Sequence, residues 1–180
     1  MILTYEECKK EYGAYYRIKR RLREEKLYKI CDGIYSTEKY NSELSVISAK
    51  YPNAVFTMDS AFYFHGLTDV IPDFYHLATK REASRIHEEK IKQYFLRDDL
   101  FDKGVVQKNY QGDNIRIYDV ERMLVELMRN KSKLSLDYYK EIIESYRKMT
   151  AEIDFEKVAS YANLFKMNQT IMNSIQLEVL

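Results

Sequence analysis

The alternation of apolar and polar residues between Ala14 and Arg23 predicts an amphipathic helix. At about 100° per residue, one face is apolar and is expected to pack on a core. Its members are Ala14, Tyr15, Ile18 and Leu22. The opposite face consists of Tyr16, Lys19, Arg20 and Arg23. One stripe of the helix is therefore available for the protein interior, and the other is free to contact something else.

The residues on either side of this helix predict a second helix before it and a hairpin after it. Thr4 and Glu7 have the spacing of a capping box, and Gly13 suits a turn between two helices. Strand-favouring residues occupy 27–31 and 34–36. They flank Asp32-Gly33, a dipeptide that favours a two-residue type I′ turn. Two helices joined by a glycine turn and followed by a small hairpin are the outline of a winged helix-turn-helix.

The remaining pattern alternates helices and strands and then becomes wholly helical. Helices are predicted at 42–51 and from Thr57 or Asp59 to Gly66. Strands are predicted at 74–79, 91–97, 104–110 and 115–118. Four further helices have candidate N-caps at Asp119, at Ser135 or Asp137, at Asp154 and at Asn168. The expected fold is α+β, with an N-terminal winged helix-turn-helix at 1–40 packed on a C-terminal α+β domain at 41–180 that ends in a helical bundle.

Positive charge is concentrated in the first of these domains. The whole chain of 180 residues has a net charge of +1, but residues 17–29 contain seven basic and two acidic side chains. Residues 1–40 carry +3 and residues 41–180 carry −2. Such a cluster suits a DNA backbone, although a solvated helix face is the simpler alternative. The predicted DNA-binding residues are Tyr16, Arg17, Lys19, Arg20, Arg23 and Lys29.

Other functional classes find little support in the sequence. No apolar run approaches the ~20 residues of a membrane span, and the start lacks the apolar core of a signal peptide, so a cytoplasmic protein without membrane contact is expected. Cys8 and Cys31 are expected to be reduced packing residues. A metal site built from His65, His76 and His87 is a minority alternative, because Gly66, Pro72 and the strand at Phe74 interrupt the single helix that would align them. A carboxylate metal site at Asp59, Asp69 and Asp73 is also a minority alternative, because Asp59 suits a helix start and the other two suit turns around Pro72. No phosphate-binding loop or other catalytic motif occurs, so we expect no enzyme and no cofactor.

Three segments together resemble one protein family. The first is the order Tyr12-Gly13, Ile18, Leu22 and Leu27-Tyr28-Lys29-Ile30 followed by Gly33-Ile34-Tyr35. The second is Asp59-Ser60-Ala61 leading into His65-Gly66-Leu67-Thr68 and Ile71-Pro72, and the third runs from Ile117-Tyr118-Asp119 through Glu121-Arg122 to Leu127. In this order they resemble the AbiEi-type antitoxins of abortive-infection type IV toxin-antitoxin systems. Met123 and Glu126 replace a threonine and an aspartate of the family pattern.

The resemblance implies a transcriptional autorepressor whose winged helix binds inverted repeats in the double-stranded DNA of its own promoter. It also implies that the C-terminal domain counteracts a cognate nucleotidyltransferase toxin without needing a stable complex with it. Family members usually carry another helix before the one at Thr4, and here the helix at 42–51 is the candidate to complete a three-helix core. The alternative is a protein-interaction module of a phage-defence system that has lost DNA binding.

Overall fold

A computed structural model describes residues 1–180 and has an α+β fold with nine α-helices and two β-sheets. The chain forms two compact units. Unit 1 comprises residues 1–53 and 109–115, and unit 2 comprises residues 54–108 and 116–180. None of the helices combines the length and apolar character needed to cross a membrane.

Unit 1 contains a three-stranded antiparallel sheet and three helices. Its elements in chain order are β1 (Ile2–Thr4), α1 (Tyr5–Tyr12), α2 (Tyr15–Arg23), β2 (Tyr28–Cys31), β3 (Ile34–Ser36) and α3 (Glu43–Lys50). The spatial order of the strands is β1-β3-β2. Helix α3 belongs to this unit, where it contacts β1, so the unit extends beyond the predicted domain 1–40.

The capping box and the glycine turn of unit 1 are confirmed. The Thr4 hydroxyl accepts a hydrogen bond from the Glu7 amide at 3.3 Å, and the Glu7 carboxylate accepts one from the Thr4 amide at 2.7 Å. Gly13 ends α1 with φ +83°, a conformation that glycine adopts without steric cost. Strand β1 was not expected, because its three residues gain their pairing from distant β3, with Ile2 opposite Ser36.

The apolar face of α2 is narrower than the helical phase predicts. Ile18 is fully buried in a core with Leu3, Cys8, Leu27 and Tyr35, and Leu22 packs at its edge. The expectation that Ala14 and Tyr15 join this core is wrong, because both are exposed. Neither residue belongs to the core cluster of unit 1, and Tyr15 meets the Tyr5 ring edge-on at a centroid distance of 6.2 Å.

The hairpin forms at the predicted place but with a different turn. A type I′ turn needs positive φ at both central residues. Here Gly33 has φ +77°, whereas Asp32 is not among the residues with positive φ. Between Lys29 and Cys31 the register against β3 shifts by one residue. This bulge changes the approach of β2 to the turn, so the type I′ prediction is wrong.

The larger sheet is mixed, and helices lie both between its strands and after them in the chain. Its strands are β4 (Val55–Phe56), β5 (Tyr75–Lys80), β6 (Ile91–Leu96), β7 (Val105–Tyr110) and β8 (Asp113–Tyr118), in the spatial order β6-β5-β4-β8-β7. The helices are α4 (Met58–Phe64), α5 (Asp98–Phe101), α6 (Val120–Asn130), α7 (Leu136–Lys148), α8 (Phe155–Ala162) and α9 (Asn168–Glu178). Strand β4 pairs antiparallel with β5 and parallel with β8. The four predicted C-terminal helices are confirmed, but the N-cap of α9 is Met167, and Asn168 is its first residue. Helix α6 contacts both α8 and α9.

Candidate nucleic-acid interface

The basic face of α2 is open to solvent along its whole length. Five of the predicted DNA-binding residues, Tyr16, Arg17, Lys19, Arg20 and Arg23, lie on α2, and the sixth, Lys29, lies on β2. All six side chains are exposed, and Tyr16 is 64% exposed despite its large aromatic ring. An exposed tyrosine beside several arginines can contact a ligand with both its ring and its hydroxyl.

Part of this face lines a groove between α1 and α2. The groove has a volume of about 530 Å³ and is lined by Glu11, Tyr12, Tyr16, Arg17, Arg20, Arg21, Glu24 and Lys26. Three of the six predicted residues, Tyr16, Arg17 and Arg20, therefore come together in one place. Arg21 and Lys26 were not predicted to belong to the site. The spacing of four residues between Arg17 and Arg21 could have indicated Arg21, since such residues lie on the same side of a helix.

Two of the other predicted residues, Lys19 and Lys29, lie near Tyr15. The Lys19 ammonium is 4.9 Å from the centre of the Tyr15 ring. A hydrogen bond to Asp32 raises the pKa of the Lys29 ammonium group, and Tyr35 and Tyr15 contribute to the same shift. Lys29 does not line the groove that contains Tyr16.

Some of these cations form ion pairs within unit 1, and these pairs are exposed to solvent. Arg20 Nε donates to Glu24 at 2.7 Å, and Lys26 Nζ donates to the same carboxylate at 3.0 Å. Together they lower the pKa of Glu24. Lys29 pairs with Asp32 at 2.5 Å and lowers the pKa of that carboxyl. Because these groups are exposed, water screens the pairs, and a phosphate can replace the carboxylate at little cost.

Arg17 is held by tyrosine rather than by a carboxylate. Its Nε donates to the Tyr16 hydroxyl at 3.1 Å, and its guanidinium lies 5.8 Å from the centre of the Tyr16 ring. On the other wall of the groove, the Arg21 guanidinium is 4.2 Å from the centre of the Tyr12 ring. Stacking of this kind fixes the direction of a guanidinium while leaving its N–H donors for an anion.

The segment 117–127, which carries part of the family resemblance, has a structural role in unit 2. Asp119 caps α6 by accepting a hydrogen bond from the Arg122 amide at 2.8 Å. The Arg122 side chain is fully buried and donates to Glu126 at 2.8 Å and to the carbonyl oxygen of Leu100 at 3.1 Å. Lys157 approaches the Asp119 carboxylate at 3.0 Å. These charged residues satisfy one another, so they hold α6 in place instead of facing a ligand.

The three histidines occupy unrelated environments. His65 Nε2 is 2.7 Å from the carbonyl oxygen of Tyr118, and burial lowers the pKa of its ring. His76 is buried, and burial lowers its pKa to about 4. Its Nε2 is 3.5 Å from Asp59, and His87 is exposed. No group of three or more His, Cys, Asp or Glu side chains has an arrangement that could hold a metal ion.

The exposed face of α2 is thus a set of cations and tyrosines aimed at solvent, with weak internal pairing. Its chemistry suits a polyanion, since guanidinium and ammonium groups neutralise phosphates and tyrosine hydroxyls can donate to them. Comparison with known proteins adds no assignment to this chemistry: no protein-family model matches the chain, and no curated protein matches it.

Proposed function

We propose that unit 1 is a winged helix-turn-helix that binds double-stranded DNA, and that the protein is a transcriptional autorepressor and antitoxin of a type IV toxin-antitoxin system. The observation that carries this proposal is the exposed basic and aromatic face of α2, preceded by a glycine turn and followed by a hairpin with its own lysine. In this assignment α2 is the recognition helix, and the β2–β3 hairpin is the wing. Helix α3 completes the group of three helices.

Within this assignment one side of α2 contacts bases, and the rest of the surface contacts phosphates. Recognition helices enter the major groove mainly with their N-terminal part. Tyr16 in the first turn, and Arg20 four residues later on the same side of the helix, are assigned to the base edges. An arginine there can donate two hydrogen bonds to guanine O6 and N7. Arg17, Lys19, Arg23 and Lys29 are assigned to the DNA backbone, where they fix register and supply affinity.

The direct test is a mobility-shift titration of the full chain with the DNA upstream of its own gene. We expect a discrete shift that survives an excess of unrelated duplex, because base contacts favour the operator over other sequences. Inverted repeats in the protected segment would be located by footprinting. Equal affinity for the upstream DNA and for a shuffled duplex at moderate salt would contradict a sequence-specific repressor.

The antitoxin activity needs a separate test in cells. The cognate toxin is proposed to be a nucleotidyltransferase, and we expect co-expression of the full chain to restore growth that this toxin arrests. Where a nucleotidyltransferase gene adjoins the gene for this chain, its product is the toxin to use in the experiment. Neutralisation need not involve a stable complex, so failure of the two proteins to copurify does not count against the proposal, whereas failure to restore growth does.

A protein-interaction module that has lost DNA binding is the second candidate function. It is favoured by exposed apolar side chains of unit 2, among them Val70, Ile71 and Phe74. Contiguous apolar exposure of this kind commonly marks a surface that contacts another protein. The absence of any upstream-DNA shift together with restored growth in the co-expression assay would favour this candidate over the repressor.

A further inference from the structure

Unit 2 has an open groove whose lining contains acidic but no basic side chains. It is formed by the start of α4, the loop 68–74 and the start of α7, and its volume is about 460 Å³. Four carboxylates line it, those of Asp59, Asp73, Asp137 and Glu141. We call this feature the acidic groove. Like charges gathered in one place repel one another, so a cation placed among them lowers the electrostatic energy.

The wall of the acidic groove is apolar and is held in an exposed position. Val70 is 50% exposed and Ile71 is 72% exposed. The loop that carries them is fastened to α7, because the Thr68 hydroxyl and the Asp69 amide both donate to one oxygen of Glu141, at 2.7 Å and 2.9 Å. The Val70 amide donates in turn to the Thr68 hydroxyl at 3.1 Å. The exposure of two large aliphatic side chains is therefore built into the fold.

The two side chains beside Asp59, those of His76 and Tyr138, do not neutralise its carboxylate. Asp59 faces the ring of His76 at 3.5 Å. Because burial lowers the pKa of His76 to about 4, this imidazole is neutral at pH 7. The Tyr94 hydroxyl lies 3.1 Å from the other ring nitrogen and adds no positive charge. Tyr138, also beside Asp59, has its phenol pKa raised by burial and by that carboxylate, so it too stays neutral.

We propose that the acidic groove binds a basic segment of a partner protein, with an apolar side chain of that segment on Val70 and Ile71 and a lysine or arginine among the carboxylates. Protein interfaces commonly combine an apolar centre with complementary charges at the rim, and both parts are present here. A groove of this volume holds one or two side chains, which fits an extended segment of a protein better than a whole folded surface. The inference goes beyond the proposed DNA binding and does not depend on it.

The test uses the full chain and labelled synthetic peptides of equal length. The probe peptide alternates leucine with arginine, a second peptide replaces leucine with serine, and a third replaces arginine with glutamate. Fluorescence anisotropy should show the tightest binding for the leucine-arginine peptide. We expect Asp137→Asn and Asp73→Asn each to weaken that binding about three- to tenfold, because each removes one charge from the partner's cation. Ile71→Ser should weaken it by a similar factor through lost apolar contact.

The matched control is Glu144→Gln, which removes an exposed carboxylate from the same helix α7 but does not line the groove. It should leave peptide affinity unchanged. Equal weakening by Glu144→Gln and Asp137→Asn would reduce the effect to overall charge and overturn the proposal. Equal binding of the leucine-arginine and serine-arginine peptides would also overturn it, and so would a dimer of the chain that Ile71→Ser abolishes, since the groove would then belong to a second copy.

The same variants separate this inference from the proposed function. Asp73→Asn, Asp137→Asn and Ile71→Ser change unit 2 only, so each should shift upstream DNA as the unchanged chain does. Loss of peptide binding with unchanged DNA binding supports the acidic groove as an independent site. If DNA is never shifted but peptide binding follows the expected order, the proposed function fails and the acidic groove stands.

Discussion

Helices α2 and α6 each provide the arginine of an Arg–Glu ion pair with a spacing of four residues, and the two pairs do different things. Arg20 of α2 and the C-cap residue Glu24 are 2.7 Å apart, and Arg122 and Glu126 of α6 are 2.8 Å apart. The Arg20 side chain is 75% exposed, whereas the Arg122 side chain is fully buried. Sequence spacing and distance are therefore nearly equal, and burial alone separates an arginine that can meet a ligand from one that holds the fold.

The buried pair is part of a larger set of contacts. Arg122 also donates to the carbonyl oxygens of Leu100 and Lys103, at 3.1 and 3.3 Å. Its guanidinium lies 5.1 Å from the centre of the Tyr118 ring, and Arg129 gives Glu126 a second cationic partner. Removing one member of such a set leaves a charge in a dry place, which is far more costly than losing an exposed pair. The exposed pair of α2 can dissociate and leave Arg20 to another anion.

The largest expected difference between the two arginines is in stability, measured as the free energy of unfolding of Arg122→Met and of Arg20→Met. We expect Arg122→Met to lower the free energy of unfolding by about 3–5 kcal/mol, because the buried Glu126 loses its main partner. The matched change Arg20→Met should leave stability within experimental error, since water solvates both members of its pair. Urea unfolding followed by circular dichroism measures both. Equal destabilisation by the two substitutions would show that burial is not what distinguishes the helices.

A smaller effect is expected from Gly104→Ala, because Gly104 lies directly against Arg122. Its φ is +81°, and an added Cβ would lie 2.8 Å from the Arg122 Cβ and 3.1 Å from an Asp119 oxygen. Strained φ and the clash together should cost about 2–3 kcal/mol of unfolding free energy. Gly112→Ala is the control, since its φ is +96° but its added Cβ meets nothing within 4 Å. It should cost about 1 kcal/mol. An equal cost for both substitutions would mean that the Arg122 side chain can move away from the added Cβ without loss of stability.

Local patterns in the sequence predicted the elements that are formed by local interactions. The helical period, the Thr4–Glu7 capping box and the Asp119 cap give correct positions for α1, α2 and α6. Strands β1 and β4 were missed because they have three and two residues, too few to show an alternation, and their partners are distant in the chain. Helix α5, with four residues, was missed for the same reason of length.

Only those features of the candidate site that depend on the helical period of α2 could be predicted from the sequence. Exposure of Tyr16, Lys19, Arg20 and Arg23 followed correctly from their side of the helix. The burial of Arg122 did not follow from any local pattern, since its charge predicts a surface position. The contacts that satisfy it come from the carbonyl oxygens of Leu100 and Lys103 and from the ring of Phe165, between α8 and α9. The acidic groove likewise combines three segments that are separate in sequence. Long-range packing decides these features.

The exposed arginine of α2 should show its effect in DNA binding instead of stability. Arg20→Ala is expected to weaken binding to upstream DNA by about five- to 150-fold and to reduce the preference over a shuffled duplex, because a base contact carries sequence information. Lys10→Ala, an exposed basic residue on α1 outside the groove, is the control and should change affinity little. Anisotropy titrations at one salt concentration measure both duplexes. A uniform loss on both duplexes would move Arg20 from the bases to the backbone.

The smallest effect on DNA binding is expected for Lys29 of the hairpin, when it is compared with Arg20 of α2. Lys29 is assigned to a phosphate, and its internal pair with Asp32 is exposed and easily replaced. Lys29→Ala should weaken binding to every duplex by a similar factor of less than about fivefold at moderate salt. The slope of log affinity against log salt should become shallower by about one, since one fewer counterion is released.

Lys148→Ala on α7 of unit 2 serves as the control for net charge and should leave the slope unchanged. If Lys29→Ala leaves the slope unchanged as well, the hairpin does not contact the DNA backbone, and α2 alone forms the interface.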